Sequence, residues 1–290
     1  MRARPRGRFI ALIVVAVLAL SGCAPASPST KLPDGVWVDV YQTRTDTGNR
    51  YLEIAVHNET EGDLRITGAR FDSDQFVSPA IWAKDGTTVR AGATVDLPVA
   101  LTEPDCTTQT PTSSVILDFT LADGTDGTAT VEPVDRLDRL PGIRLEDCLA
   151  EAVAATAAIT LGPLALEETG TGVTATLPIT LTPTGADSTI SLVALGSTTL
   201  FQFRDPASGQ IVDSLALATT VSGGDAPSTL TVEPVTNRCD AHAIAEDKRG
   251  TFLPFTVSTD QGDGDVYLAA SDELRNQLYR FYAESCGLPF

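Results

Sequence analysis

Apolar and polar residues alternate along most of this chain. Val36, Val38 and Val40 alternate with Trp37, Asp39 and Tyr41, and Leu52, Ile54 and Val56 with Glu53, Ala55 and His57. The same period recurs at Val115, Leu117, Phe119 and Leu121, at Val173 through Leu181, and at Leu253, Phe255 and Val257. A period of two places successive side chains on opposite faces of a half-buried strand. Asp85-Gly86, Asp123-Gly124, Asp126-Gly127, Ser208-Gly209, Gly223-Gly224 and Gly262-Asp263-Gly264 separate the runs and read as turns. Many short strands between such turns predict an all-β chain of two tandem Ig-like β-sandwiches.

The two halves overlay. Thr45-Asp46-Thr47-Gly48 precedes the Leu52 strand, and Glu168-Thr169-Gly170-Thr171-Gly172 precedes the Val173 strand. Glu103-Pro104 leads to Cys106, and Glu233-Pro234 leads to Cys239; each is followed by a hairpin with an acidic Gly turn and a charged segment ending in Cys148 or Cys286. An internal repeat explains this, with domains over 34–150 and 151–290. Helical periodicity appears at the end of the chain. Leu274, Leu278, Phe281 and Tyr282 form one stripe behind Ser271, Asp272 and Glu273, which suit an N-cap and a positive dipole end, so a helix is expected over 272–285. The first-half counterpart, Asp135 to Cys148, contains Pro141-Gly142 and predicts a short helix, a break and a restarted turn, with Leu149 to Ala158 extending helix into the junction.

Composition adds an acidic balance. The 290 residues carry 20 Lys+Arg against 38 Asp+Glu, a formal charge of −18. That disfavours nucleic acid, which needs a basic face. It is also too apolar, at 42% hydrophobic, for a wholly disordered chain.

The first 22 residues have their own organisation. Arg2, Arg4, Arg6 and Arg8 precede an unbroken apolar run from Phe9 to Leu20. As a helix that run spans roughly 18 Å, short of a hydrocarbon core of about 30 Å, so it reads as a signal-peptide h-region. Leu20-Ser21-Gly22-Cys23 follows directly and resembles the lipobox of bacterial lipoproteins. The resemblance implies cleavage after Gly22 and a diacylglyceryl thioether on Cys23, with palmitate-type acyl chains holding the protein to the membrane. Residues 23–33, rich in Pro and Ser, form a tether. Loss of residues 1–22 removes four arginines and no acid, so the charge becomes −22. Residues 24–150 (10 bases, 21 acids) and 151–290 (6 bases, 17 acids) share it equally. Together with its Ala, Thr and Arg bias, the chain resembles surface lipoproteins of high-GC Gram-positive bacteria, a resemblance that implies an extracytoplasmic, membrane-anchored address and supplies no activity.

Four cysteines remain after Cys23. The repeat selects Cys106–Cys148 and Cys239–Cys286 among three pairings, and export places them where disulfides persist. A Cys239-x-x-His242 metal site is the competing reading, disfavoured because the chain has only two histidines. No Gly-x-Ser-x-Gly, His-Glu-x-x-His, Walker or dinucleotide motif occurs, so no catalytic residue, metal or cofactor is expected. His57 reads as a strand-end residue without an identifiable partner, and Asn58-Glu59-Thr60 as turn chemistry. The candidate binding residues are Asp240, His242, Glu246 and Asp247, in the most polar segment, and Trp82 if it projects near the Asp85-Gly86 tip. A charged segment salt-bridged to itself and a core tryptophan are the plainer readings. The Asp-Gly turns fit hairpins better than calcium loops. The expected function is a non-enzymatic binding or scaffolding module of the cell envelope with a possible envelope protein partner. The alternative is an accessory or solute-binding component of an envelope transport system.

Overall fold

The computed structural model describes residues 30–170, 172–247 and 251–289. The expected signal peptide (1–22), the acylated Cys23 and the tether up to residue 29 lie outside the described residues. The first half comprises β1 (Val36–Tyr41), α1 (Arg44–Asn49), β2 (Tyr51–Asn58), β3 (Leu64–Ser73), β4 (Ala80–Ile81), β5 (Thr87–Val89), β6 (Ala93–Ala100), β7 (Ser113–Thr120), β8 (Asp126–Val131) and β9 (Val134–Asp135). Helix α2 (Leu140–Thr156) then leads to β10 (Ala157–Leu161), β11 (Ala165–Thr169), β12 (Gly172–Pro183), β13 (Thr189–Gly196), β14 (Phe201–Arg204) and β15 (Ile211–Val212). The chain continues through β16 (Ser214–Ser222), β17 (Ser228–Thr236), α3 (Ala241–Glu246), β18 (Phe252–Thr259), β19 (Gly262–Ala269) and α4 (Asp272–Ser285).

The fold is mostly β and holds several sheets. In the first half, β6-β2-β1-β9 faces β4-β3-β7-β8, with β5 also on β3. Their inward residues, among them Val38, Val40, Leu52, Ile54, Ile66, Phe71, Leu117 and Phe119, share one core. In the second half, β10-β12-β17-β14-β15 and β16-β13-β18-β19 enclose another, into which Leu274, Leu278, Phe281 and Tyr282 of α4 pack. The pairing order recurs: β1, β2 and β6 are joined as β10, β12 and β17 are, and β3, β7 and β8 as β13, β18 and β19 are. Two disulfides, Cys106–Cys148 and Cys239–Cys286, each link the segment after one such strand series to α2 or to the end of α4.

Helix α2 corrects the expected break at Pro141-Gly142. Proline lies in the first turn, where its missing N–H costs no intrahelical bond, and Asp135 caps that turn by accepting from Arg139 N and Leu140 N at 2.8 and 2.7 Å. The helix therefore runs unbroken for 17 residues and crosses the 150/151 boundary. Ile143 packs in the first core, whereas Leu149 and Val153 pack in the second. Cys148 and the Arg50–Asp147 ion pair hold the same helix to the first half. A short helix, α1, occupies the Thr45-Asp46-Thr47-Gly48 stretch before β2. Thr43 and Asp46 close a capping box there, each accepting from the other's backbone N–H.

Trp82 is a second correction. It is 5% exposed and belongs to the first core rather than projecting as an anchor. Its backbone bridges to Val99 on β6, which turns the side chain inward between the sheets.

Candidate functional site

The most polar sequence segment folds back on itself. Asp240 is the N-cap of α3, accepting from Ala243 N at 3.0 Å, and its other oxygen pairs with Arg238 at 2.6 Å. Glu246 also goes to Arg238, at 2.6 Å. His242 is exposed on the same short helix. Cys239 is consumed by its bridge to Cys286, which leaves no thiolate for a metal site with His242. Asp247 faces inward, accepting from the Tyr279 hydroxyl of α4 and from Thr251 N, both at 3.1 Å. Asp247 and the Cys239–Cys286 bridge fasten the α3 segment to α4, and Trp82 belongs to the other half, so the structure does not assemble the candidate residues into one site.

Burial holds the Asp247 carboxyl above its usual range despite these donors. Burial, and then the neighbouring Asp247 charge, push the Tyr279 hydroxyl up to about 12. A raised carboxyl makes the folded state the stronger proton binder. Its contribution to stability is complete below the unfolded value and is lost as pH rises through the folded one. Asp247→Asn keeps an acceptor for both donors and removes the charge. It is expected to match or exceed the wild type in urea midpoint at neutral pH and to lose that advantage near pH 4. Urea titrations at the two pH values check this, and a lower midpoint at neutral pH would refute it.

A different group converges on the outward face of β6-β2-β1-β9. The register sets its rows. Trp37, His57 and Thr94 form one row, Asp39, Ala55 and Asp96 the next, and Tyr41, Glu53 and Pro98 the third. Val134 of β9 lies beside Asp39. The indole of Trp37 stacks on the His57 ring, with centroids 3.6 Å apart and planes within 3°. Its Nε1 donates to Glu59 Oε1 at 2.9 Å. His57 is fixed at both nitrogens, Nε2 to Asp39 Oδ2 at 3.1 Å and Nδ1 to the Thr94 hydroxyl at 2.9 Å. Since the Asp39 carboxylate only accepts, Nε2 carries a proton, and in the neutral ring Nδ1 accepts from Thr94. Arg136 closes the cluster. Its Nη1 is 3.5 Å from Asp39 Oδ2, and its guanidinium carbon sits 3.9 Å over the centre of the Tyr41 ring.

Thr94, His57 and Asp39 have the residue types of a hydroxyl–imidazole–carboxylate relay. In this arrangement the relay clamps the imidazole against the indole. Trp37 is nevertheless 39% exposed, and Val134 58%. Stacking and a chain of polar contacts thus hold an exposed aromatic in one orientation.

Two carboxylate oxygens of the face lack hydrogen-bond partners among the described residues. Asp39 is 1% exposed, yet its Oδ1 has no hydrogen-bond partner among the described residues. Glu53 Oε2 is likewise buried and unpartnered. Burial, and then the charges of Asp46 and Asp96, raise the Glu53 carboxyl, while Lys84 pulls it back. Tyr41 is raised as well, by burial and by Asp96.

A recess of about 810 Å³ at the end of the first half is lined in part by Asp135 and Arg144, and both are already engaged. Asp135 caps α2, and Arg144 donates to Thr108 O at 2.6 and 3.1 Å. Three acids at or next to the hairpin tips are engaged in the same way. Asp123 accepts from Thr125 N at 2.9 Å, and the Asp126 and Asp265 carboxylates accept from the cross-strand hydroxyls of Thr120 and Thr256, both at 2.7 Å. Asn58 donates to Gly62 O and Val89 O and accepts from Thr60, which is turn chemistry.

Sequence reasoning missed the His57 cluster. The signal was present, because both outward sets, Trp37/Asp39/Tyr41 and Glu53/Ala55/His57, follow from the alternation. What the alternation does not specify is the register that sets Asp39 diagonal to His57.

No family model matches the chain, and no curated protein matches it. Solved structures similar to it include a red sea bream transglutaminase (8% identity, TM-score 0.24, over 83% of this chain and 32% of that one). A complex of the Amycolatopsis orientalis exo-chitosanase CsxA with PNP-beta-D-glucosamine is 16% identical, with a TM-score of 0.20 over 82% of this chain and 26% of that one. The BSP domain of a biofilm associated protein is 9% identical, with a TM-score of 0.20 over 89% of this chain and 63% of that one. The chain thus spans about a third or less of the two enzymes' length.

Proposed function

We propose that the chain is a membrane-anchored extracytoplasmic lipoprotein whose body is a non-enzymatic binding or scaffolding module of the cell envelope, built from two Ig-like β-sandwiches in tandem. The observation that carries the binding role is the outward face of the first sheet, where an exposed indole is clamped by His57 and Glu59. Helix α2 supports the scaffolding role, since one rigid element packs into both cores. The anchor rests on the order of Arg-rich start, apolar run, Leu20-Ser21-Gly22-Cys23 and Pro/Ser tether.

Metabolic labelling with a palmitate analogue tests the anchor. The wild type is expected to take the label and to fractionate with membranes. Cys23→Ser is expected to lose both. A labelled Cys23→Ser protein would overturn this part of the proposal.

A further inference from the structure

Strand β7 begins before its neighbour β8 can pair with it. The two strands are matched from Thr120 and Asp126 to Val115 and Val131. In an antiparallel ladder, alternate residues turn their backbone groups to opposite neighbours. Odd-numbered residues of β7 turn toward β8, as Leu121 N does on Thr125 O at 2.8 Å just past the strand. Even-numbered ones turn toward β3. Thr112, just before the strand, already does so: its carbonyl accepts from Asp74 N at 3.2 Å, and its N–H donates to Asp74 Oδ2 at 3.3 Å. The next odd residue after Val115 is Ser113, and the register continued along β8 sets Pro133 opposite it. Proline has no N–H to give. The chain also leaves β7 there, because Val134 and Asp135 pair with Asp39 and Val40 of β1 in the other sheet.

Ser113 thus turns an N–H and a C=O to a side where β8 no longer runs, and it lines the recess of about 810 Å³ at the end of the first half. We propose that this recess takes an extended peptide segment, added to β7 in the place that β8 vacates. The inference goes beyond the reading of the Trp37 face and does not depend on it.

The recess has the size of a ligand site, roughly 300–1,000 Å³. An antiparallel segment exchanges both main-chain bonds with Ser113, and such pairing gives affinity without fixing the segment's sequence. Gln109, Ser114 and Thr130 carry amide and hydroxyl groups around that edge, and Leu140 and Pro141 give it an apolar wall. The start of α2 and the link from β8 to β9 flank the edge, which favours a lone segment over the edge strand of a folded sheet. Arg144 is engaged with Thr108 O, and Asp135 with the first turn of α2. The other charges lining the recess are Glu132 and Asp138, both exposed, and they disfavour an acidic segment.

The test uses the mature lipidated protein, isotope-labelled, in micelles of an uncharged detergent. Acetyl-Thr-Val-Thr-Val-amide is titrated and followed by NMR, with its fully N-methylated counterpart as the parallel probe. The tetrapeptide is expected to shift the Ser113 and Val131 amide resonances saturably. N-methylation removes the donors and crowds the edge, so the counterpart is expected to bind at least about tenfold more weakly. Ser113→Pro removes the N–H that faces the recess and leaves the β3 ladder intact, at the first residue of the strand, where proline is tolerated. It is expected to lower the tetrapeptide affinity about tenfold, and an unchanged melting temperature separates lost binding from lost fold. The absence of a saturable shift at Ser113 would overturn the inference. Equal affinity for the N-methylated counterpart, or full affinity in a folded Ser113→Pro variant, would do the same.

Discussion

Replacing Cys106 and Cys148 by alanine is expected to destabilise the protein by about 4 kcal/mol, the chain-entropy value for a loop of this length. The bridge closes a separation of 42 residues. Its effect is expected to exceed a local loss, because Cys148 sits on the helix that serves both cores. The ion pair that also ties α2 to the first half is weaker. Arg50 pairs with Asp147, but burial raises the Asp147 carboxyl despite the guanidinium, and Asp147 Oδ2 has no partner among the described residues. Desolvation thus takes back much of what that pair contributes. Without the bridge, the two halves are expected to unfold in separate transitions. Both tryptophans belong to the first half, so emission follows that half while far-ultraviolet circular dichroism follows both. Urea curves from the two probes should coincide in the oxidised wild type and diverge in the variant. Coincident curves with an unchanged midpoint would show that the bridge neither stabilises nor couples.

Leu149→Ala carries the second large effect. Leu149 is fully buried, in the second core, on a helix that begins in the first half. Truncation there is expected to cost about 2–5 kcal/mol, from lost burial and the cavity left behind. The site has an internal control. A Cβ on Gly264 of β19 would meet Leu149 Cδ1 at 2.7 Å, so the missing side chain makes room for the leucine. Gly264→Ala is expected to destabilise the wild type by overpacking and to cost less in the Leu149→Ala background. Additive losses would show that the helix does not rely on that contact. Ile143→Ala, on the first-core side of the same helix, should move the emission midpoint more than Leu149→Ala does.

Legibility differs from element to element. The stripe at Leu274, Leu278, Phe281 and Tyr282 is local, and α4 spans the range the stripe indicates, with the Ser271 side chain accepting from Leu274 N. Pro141 misleads because its effect depends on position. The same residue breaks a helix interior and starts a helix, and the cap that selects the second outcome, Asp135, precedes it by six residues. Trp82 is ambiguous in sequence because a tip tryptophan and a core tryptophan have the same neighbours. The bridge to Val99, from a strand that comes later in the chain, decides between them.

The sequence by itself determined the elements whose physics is local. These are the alternating strands, the turns at Asp85-Gly86 and Asp123-Gly124, the terminal helix and the acidic balance, whereas Asp126-Gly127 and Gly262-Asp263-Gly264, also expected as turns, lie within β8 and β19. The repeat in the sequence also proposed the two cysteine pairs that the structure contains. Tertiary structure alone decided the join and the site. Whether α2 continues past the boundary depends on two cores offering burial on either side of it. Whether His57 meets Asp39, Thr94 and Trp37 depends on a strand register, and a slip of one residue would turn every one of those side chains to the opposite face. Alternation specifies which face a residue takes. Only the pairing of distant strands specifies which residues share it as neighbours.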